Sequence, residues 1–264
     1  MLEIAILAAQ EAGKLIKSKA NSEKNVATKS SNVDLVTDVD QQAEKIICEI
    51  IQKKYPQHKI IGEEGSTNDS FNDTRGYLWI IDPIDGTTNF IHGVPFYAVS
   101  IGLVYNNDVV LGVVYDPSSE ELFSAQKGQG AFLNGEPIKV SEEKTIAESL
   151  MSSDFPNNKY RKLTAKSIEN ISTKCRNLRA PGSTALQMAY VAAGRYSGYW
   201  ELGLKAWDMV AGALLVQEAG GRVSDTLNNS YSLDVSHVVA TNGFIHEELI
   251  GILKSNQTTG FEVE

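Results

Sequence analysis

Residues 79–90 read WIIDPIDGTTNF: an apolar run delivers two aspartates three positions apart, Asp82 and Asp85, and Gly-Thr-Thr follows. Two carboxylates about 4 Å apart repel by roughly 4 kcal/mol at an effective dielectric near 20, so packing them together calls for a bound cation. Ligands that are all oxygen favour magnesium, manganese or calcium over zinc. Pro83 is expected to fix a turn that brings Asp85 back toward Asp82. Gly86 lets the backbone approach a ligand closely, and Thr87 and Thr88 can open a helix whose N–H groups would face an anion. The stretch thus offers cation ligands and a phosphate cradle side by side. Alone it is a weak signal, better explained by helix capping and a solvated turn.

Two further acidic positions change the balance. Glu63-Glu64 in IIGEEG also follows an apolar run, flanked by Gly62 and Gly65, and Asp208 in KAWDMVAGALL is placed to be the N-cap of its helix. Each has a plain explanation by itself, as a loop glutamate or a cap. Acid after an apolar strand or at a helix start nevertheless occurs three times. No serine–histidine–aspartate order, Walker lysine loop or G-x-G-x-x-G competes for the site. His58, His92, His237 and His246 show no paired ligand spacing and are expected to be structural or exposed.

Periodicity shows which elements must position these acids. Residues 2–19 and 38–54 fit amphipathic helices, with TKSSNVDLVTD between them expected as a mobile polar loop. HKIIG, YLWII, FYAVSIGLVY, VVLGVVYD and ELFSAQ read as strands. Turns are expected at Asn106-Asn107-Asp108 and in LNGEP at 133–137, giving an antiparallel meander with helices on one face. Beyond about residue 145 the rhythm alternates. SLMSSD, YSGYWEL and HVVAT read as strands; residues 157–173, PGSTALQMAYVAAG, WDMVAGALLVQEAGG and FIHEELIGILKS contain helices. The expectation is two halves, an α+β half over 1–146 with most of the acids and an α/β half over 147–264, packed tightly because no Pro/Gly linker divides them.

Composition narrows the function classes. The chain has 264 residues, 42% hydrophobic and 22% charged, and a net charge of −9, which disfavours non-specific binding to nucleic acid or an anionic membrane. Its two cysteines, Cys48 and Cys175, suit neither a disulfide framework nor a zinc site and are expected as reduced thiols. The N-terminal stretch is too charged for a signal or a span, so a cytoplasmic protein with no membrane association is expected. Tyr196, Tyr199, Trp200 and Trp207 are expected to pack rather than stack on bases.

GEE at 62–64, WIIDPIDGTTNF at 79–90 and WELGLKAWDMVAGALLVQEAGG at 200–221, with DLVTDVD at 34–40, resemble the inositol monophosphatase family in content, order and spacing over nearly the whole chain. The resemblance implies a layered αβαβα sandwich, mixed α+β and α/β. It also implies Mg2+-dependent hydrolysis of small phosphate monoesters, foremost myo-inositol monophosphate, by direct attack of metal-activated water. Carried across, Glu63, Asp82 and the carbonyl of Ile84 would hold one magnesium, and Asp82, Asp85 and Asp208 a second. A third, weaker ion would lie near Glu63, and manganese could substitute. Thr87, held by Asp40, would sit beside the attacking water. Amides near Gly86 and Thr87 would stabilise the phosphoryl oxygens, and Asp208 would assist the leaving alkoxide. Asp85, Glu201 and the loop Gly182-Ser183-Thr184, presenting amides, would recognise the alcohol portion, and Lys29 would near the metals. Lithium inhibition and a homodimer are also implied.

Lys205 departs from the animal members of the family, which carry histidine there, a difference that bears on selectivity for the alcohol and not on the metal chemistry. Three alternatives remain. A haloacid-dehalogenase-type phosphatase would use D-x-D and a covalent aspartyl phosphate. A relative in the same superfamily would prefer fructose-1,6-bisphosphate, the 2′-phosphate of NADP or a 3′-phosphoadenosine nucleotide. A regulatory or RNA-associated protein would keep the fold for interaction.

Overall fold

The computed structural model describes residues 1–22, 26–28, 35–65, 75–156 and 159–263. In chain order the first elements are α1 (Leu2–Lys19), β1 (Val26–Thr28), β2 (Leu35–Thr37), α2 (Asp38–Lys54), β3 (Lys59–Gly62), β4 (Tyr77–Asp85), α3 (Thr87–His92), β5 (Ala98–Tyr105), β6 (Asp108–Asp116), β7 (Glu121–Gln126), β8 (Ala131–Leu133) and β9 (Glu136–Ile138). There follow β10 (Leu150–Ser153), α4 (Arg161–Ser172), β11 (Asn177–Arg179), α5 (Thr184–Ala192), β12 (Gly198–Leu202), α6 (Ala206–Glu218), β13 (Arg222–Asp225), β14 (His237–Thr241) and α7 (His246–Ser255).

A seven-stranded sheet runs β3 to β9 in sequence order, and a five-stranded sheet has the order β11-β10-β12-β14-β13. The apolar faces of α1 and α2 cover the outer side of the large sheet, burying Ala5, Ala9, Ile16, Ile47 and Ile51 against Trp79, Ile81 and Ile101. α5 and α6 fill the space between the two sheets, where Leu186, Met188, Leu214 and Leu215 meet Val114, Phe123, Val238 and Ala240. α6 is apolar nearly all round because it has a sheet on either side. The outer side of the small sheet is closed by α4 and α7, where Ile171, Leu249 and Leu253 pack on Trp200 and Val239. The result is the expected αβαβα sandwich.

Several local expectations need correction. β3 lies parallel to β4, and only the pairs from β4 onward are antiparallel. Helices cover both faces of the large sheet, since α5 and α6 supply the second cover from far along the chain. The supposed mobile loop, residues 28–38, has ordered ends: Thr28 closes β1 and residues 35–37 form β2, the two strands pairing antiparallel from Val26 with Thr37 to Thr28 with Leu35, while residues 29–34 lie outside the described residues. β11 and β13 were not expected, being too short and too polar to show alternation. The two turns are as read: Asn106 and Asn107 have φ of 50° and 71°, the left-handed values that a tight hairpin requires.

His246 opens α7 and is fully buried, with Nε2 2.8 Å from Ser224 Oγ and Nδ1 2.9 Å from Thr241 Oγ1. Burial pushes its pKa down to about 4 from an ordinary 6.5, with the nearby Arg222 adding to the effect. The ring is neutral in the fold and takes up a proton on unfolding below its ordinary pKa. Its contribution is therefore complete above pH 6.5 and is lost as the pH falls toward 4, by up to about 3 kcal/mol. Denaturant unfolding of His246→Gln across this range is expected to show a shallower acid-side loss of stability than the wild type.

Candidate active site

The two aspartates of the central motif face the same way because β4 carries a bulge. Asp82 pairs with Ser100 of β5 and Asp85 with Ala98, so three steps on one strand match two on the other. Residues three apart on a regular strand point to opposite faces, and the extra residue returns Asp85 to the side of Asp82. Pro83, which has no N–H to offer a ladder, is tolerated within such a bulge. The expected turn is thus a kinked continuation of the strand, and Ile84 N–H closes it on Asp82 Oδ1 at 3.0 Å.

Asp85 reaches across to the start of α5. Its Oδ2 accepts the Ser183 hydroxyl at 2.5 Å and Ala185 N–H at 2.6 Å, placing a carboxylate where the helix has donors to spare. Gly86 makes this approach feasible. Its φ is +98°, and a Cβ there would lie 2.9 Å from the Gly182 carbonyl. Asn89 binds the same junction through Nδ2, donating to the carbonyls of Phe96 and Pro181.

Glu63 sits on the turn after β3. A fully buried carboxylate that sequence reading missed, Glu44 of α2, holds this turn by accepting Glu64 N–H at 2.8 Å. Gly62 is required there, because a Cβ would fall 2.2 Å from Glu44 Oε2. Only the helical spacing of Glu44 was visible beforehand, and that spacing did not distinguish it from its solvated neighbours.

Asp40 is also fully buried and lies in the first turn of α2, where Oδ2 accepts Thr37 N–H at 2.9 Å and so caps the helix. Its Oδ1 is 3.1 Å from Thr87 Oγ1, which is also 2.9 Å from the Ile84 carbonyl. A hydroxyl has one proton, so these two acceptors compete for it. Burial raises the pKa of Asp40 against hydrogen bonds from Thr37 and Thr87.

Asp208 is the third residue of α6 rather than its N-cap, and Oδ2 accepts the N–H of Lys205, the capping residue, at 2.7 Å. Glu201 lies in β12, with Oε2 accepting the hydroxyls of Tyr199 and, at 3.2 Å, Thr184. Tyr199 therefore does more than pack. The loop at 182–184 also differs from expectation: Gly182 N–H is already donated, at 2.8 Å, to Asp154, a cleft residue just past β10 that sequence reading passed over. Asp85, Thr88, Asp154, Gly182, Thr184, Glu201 and Asp208 line one cleft of about 400 Å3. Lys29 lies outside the described residues.

Electrostatics bind the acids into one group. Burial raises the pKa of Asp82 well above the carboxylate range, and the charges of Glu63, Asp85 and Asp208 push it further. Asp85 is raised to about 7 by burial, against its bonds to Ser183 and Ala185. Asp208 is raised by burial and by Asp85, partly offset by the Lys205 N–H. Among the described residues, no group of three or more His, Cys, Asp or Glu side chains is gathered so that it could hold a metal ion as it stands. The carboxylates instead bond to adjacent N–H and hydroxyl donors, as mutually repelling charges would. These acids offer only oxygen donors, two of them, Asp82 and Asp85, buried, and their charges repel, which fits a hard divalent cation.

A five-layer sandwich with acids converging from strand ends and a helix start defines a class of metal-dependent phosphatases. The chain belongs to the inositol monophosphatase family, whose profile matches residues 1–258. It is 44% identical over 250 residues to a Pseudomonas aeruginosa protein named Nus factor SuhB, covering 92% of this chain and 91% of that one. It is 39% identical over 262 residues to inositol monophosphatase 2 of Solanum lycopersicum, covering 97% and 98%. The solved structure of a Thermotoga maritima IMPase superposes with a TM-score of 0.90 at 36% identity, covering 97% of each chain.

Gly86→Ala would add a Cβ to a left-handed residue pressed on the Gly182 carbonyl. A loss of about 2–3 kcal/mol in urea unfolding is expected, with the slope unchanged.

Proposed function

We propose that this protein hydrolyses small phosphate monoesters with magnesium, myo-inositol monophosphate foremost, acting in the cytoplasm as a lithium-sensitive homodimer. The observation that carries this reading is that the charges of Glu63, Asp85 and Asp208 all bear on buried Asp82, with Asp85 and Asp208 on the wall of a polar cleft. Family membership supports the phosphatase chemistry.

Glu63, Asp82 and the Ile84 carbonyl would hold one magnesium ion, and Asp82, Asp85 and Asp208 a second, with a weaker third near Glu63; manganese would substitute. When bound, the ions lower the pKa of water toward neutrality and offset the charge of the phosphoryl group. Protein groups do the rest. Thr87 donates its single proton to Asp40 or the Ile84 carbonyl, which turns an oxygen lone pair toward the attacking water and orients it. Amides at Gly86 and Thr87, where α3 begins, would receive the phosphoryl oxygens. Asp208 would deliver a proton, through water, to the departing alkoxide. Ser183 and Thr184 would shape the alcohol pocket around Asp85 and Glu201, with Gly182 supplying its backbone.

A second reading is favoured by the name Nus factor carried by the 44% identical relative: a regulatory interaction role on the same fold. Restoring a deletion strain with Asp82→Asn separates the two, since an interaction role survives that change and a catalytic one does not.

Purified enzyme compared on myo-inositol 1-phosphate, fructose-1,6-bisphosphate, NADP and a 3′-phosphoadenosine nucleotide should give the highest kcat/KM for the inositol ester. Asp82→Asn is expected to fold, to lose at least about a hundredfold in kcat, and to lose the rise in Tm that magnesium gives the wild type. Unchanged turnover in that variant would remove the metal-site assignment.

A further inference from the structure

Asp154 has no part in the chemistry proposed above, yet its placement is specific. β10 and β12 are adjacent parallel strands in register, Ser152 with Tyr199 and Ser153 with Trp200. The residue that follows each member of the last pair is an acid, Asp154 just past β10 and Glu201 in β12, at the carboxyl-end edge where ligands bind in such sheets. Neighbouring strands lie about 4.8 Å apart, so two carboxylates stand side by side on the wall of the cleft.

Each spends one oxygen on the protein. Asp154 Oδ2 accepts Gly182 N–H at 2.8 Å and Gln187 Nε2 at 2.5 Å. Glu201 Oε2 accepts the Tyr199 and Thr184 hydroxyls. The second oxygens, Asp154 Oδ1 and Glu201 Oε1, accept no hydrogen bond among the described residues and belong to side chains that line the cleft. Gln187 is fully buried, and its Oε1 has no partner. Its amide is turned to donate to Asp154 although that orientation leaves its own carbonyl unsatisfied, a cost of about 1–3 kcal/mol. Asp154 is thus held as an acceptor with one oxygen to spare.

We propose that Asp154 and Glu201 together read two neighbouring hydroxyl groups of the substrate's alcohol portion, making Asp154 a specificity residue for polyol phosphates. The proposal rests on the phosphatase reading and deepens it. Two adjacent carboxylates repel, and two hydroxyl donors on one ring satisfy both at once. An ester whose alcohol lacks hydroxyls, such as p-nitrophenyl phosphate, satisfies neither.

Asp154→Asn keeps a carbonyl oxygen for Gly182 N–H and removes the charge. For myo-inositol 1-phosphate its KM is expected to rise about tenfold, the equivalent of one charge-assisted hydrogen bond, with kcat within about twofold. Kinetics on p-nitrophenyl phosphate should stay within about twofold. A substrate-side test needs no variant: among monodeoxy inositol phosphates, at least one should show the same KM rise with wild-type enzyme, and Asp154→Asn should not raise it further. Equal effects on both esters would reduce Asp154 to an anchor for the Gly182 loop and overturn the proposal, as would no effect on either, or a deoxy series with uniform KM. Wild-type enzyme inert toward every ester would overturn the phosphatase reading instead.

Discussion

Crowding of negative charge is the constraint on which the rest of this molecule depends. Asp82, Asp85 and Asp208 each lie where another carboxylate makes ionisation harder, and burial of Asp82 and Asp85 removes the water that would screen them. The fold tolerates this because backbone N–H groups take the charge one oxygen at a time. Ile84 serves Asp82, Ala185 serves Asp85, Lys205 serves Asp208 and Glu64 serves Glu44. Such bonds to charged acceptors are shorter and stronger than neutral ones. They leave a second carboxylate oxygen to meet whatever enters the cleft.

The layered architecture follows from where those donors must come from. Helix starts and strand ends supply N–H groups without an internal partner, and the sandwich brings several to one place. The start of α5 donates to Asp85, and Asp208 and Asp40 lie in the first turns of α6 and α2 and accept the N–H groups of their capping residues. The bulge in β4 turns Asp85 toward α5, so a single side chain ties the large sheet to the helical layer beneath it. Gly86 and Asn89 close the same junction, one by lacking a side chain and the other by bridging two carbonyls. The cleft is therefore rigid where the acids sit, which suits chemistry that depends on position more than on motion.

The wall of the cleft in the second sheet has a different character. Asp154 and Glu201 stand on neighbouring strand ends, and their partners Gln187, Thr184 and Tyr199 are all buried. The hydroxyls of Tyr199 and Thr184 lie 3.0 Å apart and both face Glu201 Oε2, and burial raises the pKa of Tyr199 so that it stays a donor. The acids at the end of β4 and this wall come from separate elements, so the wall can vary without disturbing the acids.

Long periodic segments were legible in the sequence: α1, α2, α6 and the strands β4 to β7 bury one face or both, and their apolar spacing says so directly. WIIDPIDGTTNF announced an acid cluster because strand, acids and helix start lie within twelve consecutive residues. What periodicity could not show were contacts between segments far apart in the chain. Glu44 looks like any helical glutamate until Gly62 is brought against it, and Asp154 looks like a strand end until β12 sets Glu201 beside it. β11 and β13 are strands only because a neighbour offers them a ladder. Residue types and local spacing thus determined by themselves the long elements and the crowding of acids at 79–90, while the layered class came with the family resemblance. Tertiary structure alone decided which oxygens already have partners and which remain for a ligand, because hydrogen bonds over long sequence separations exist only once the layers have packed.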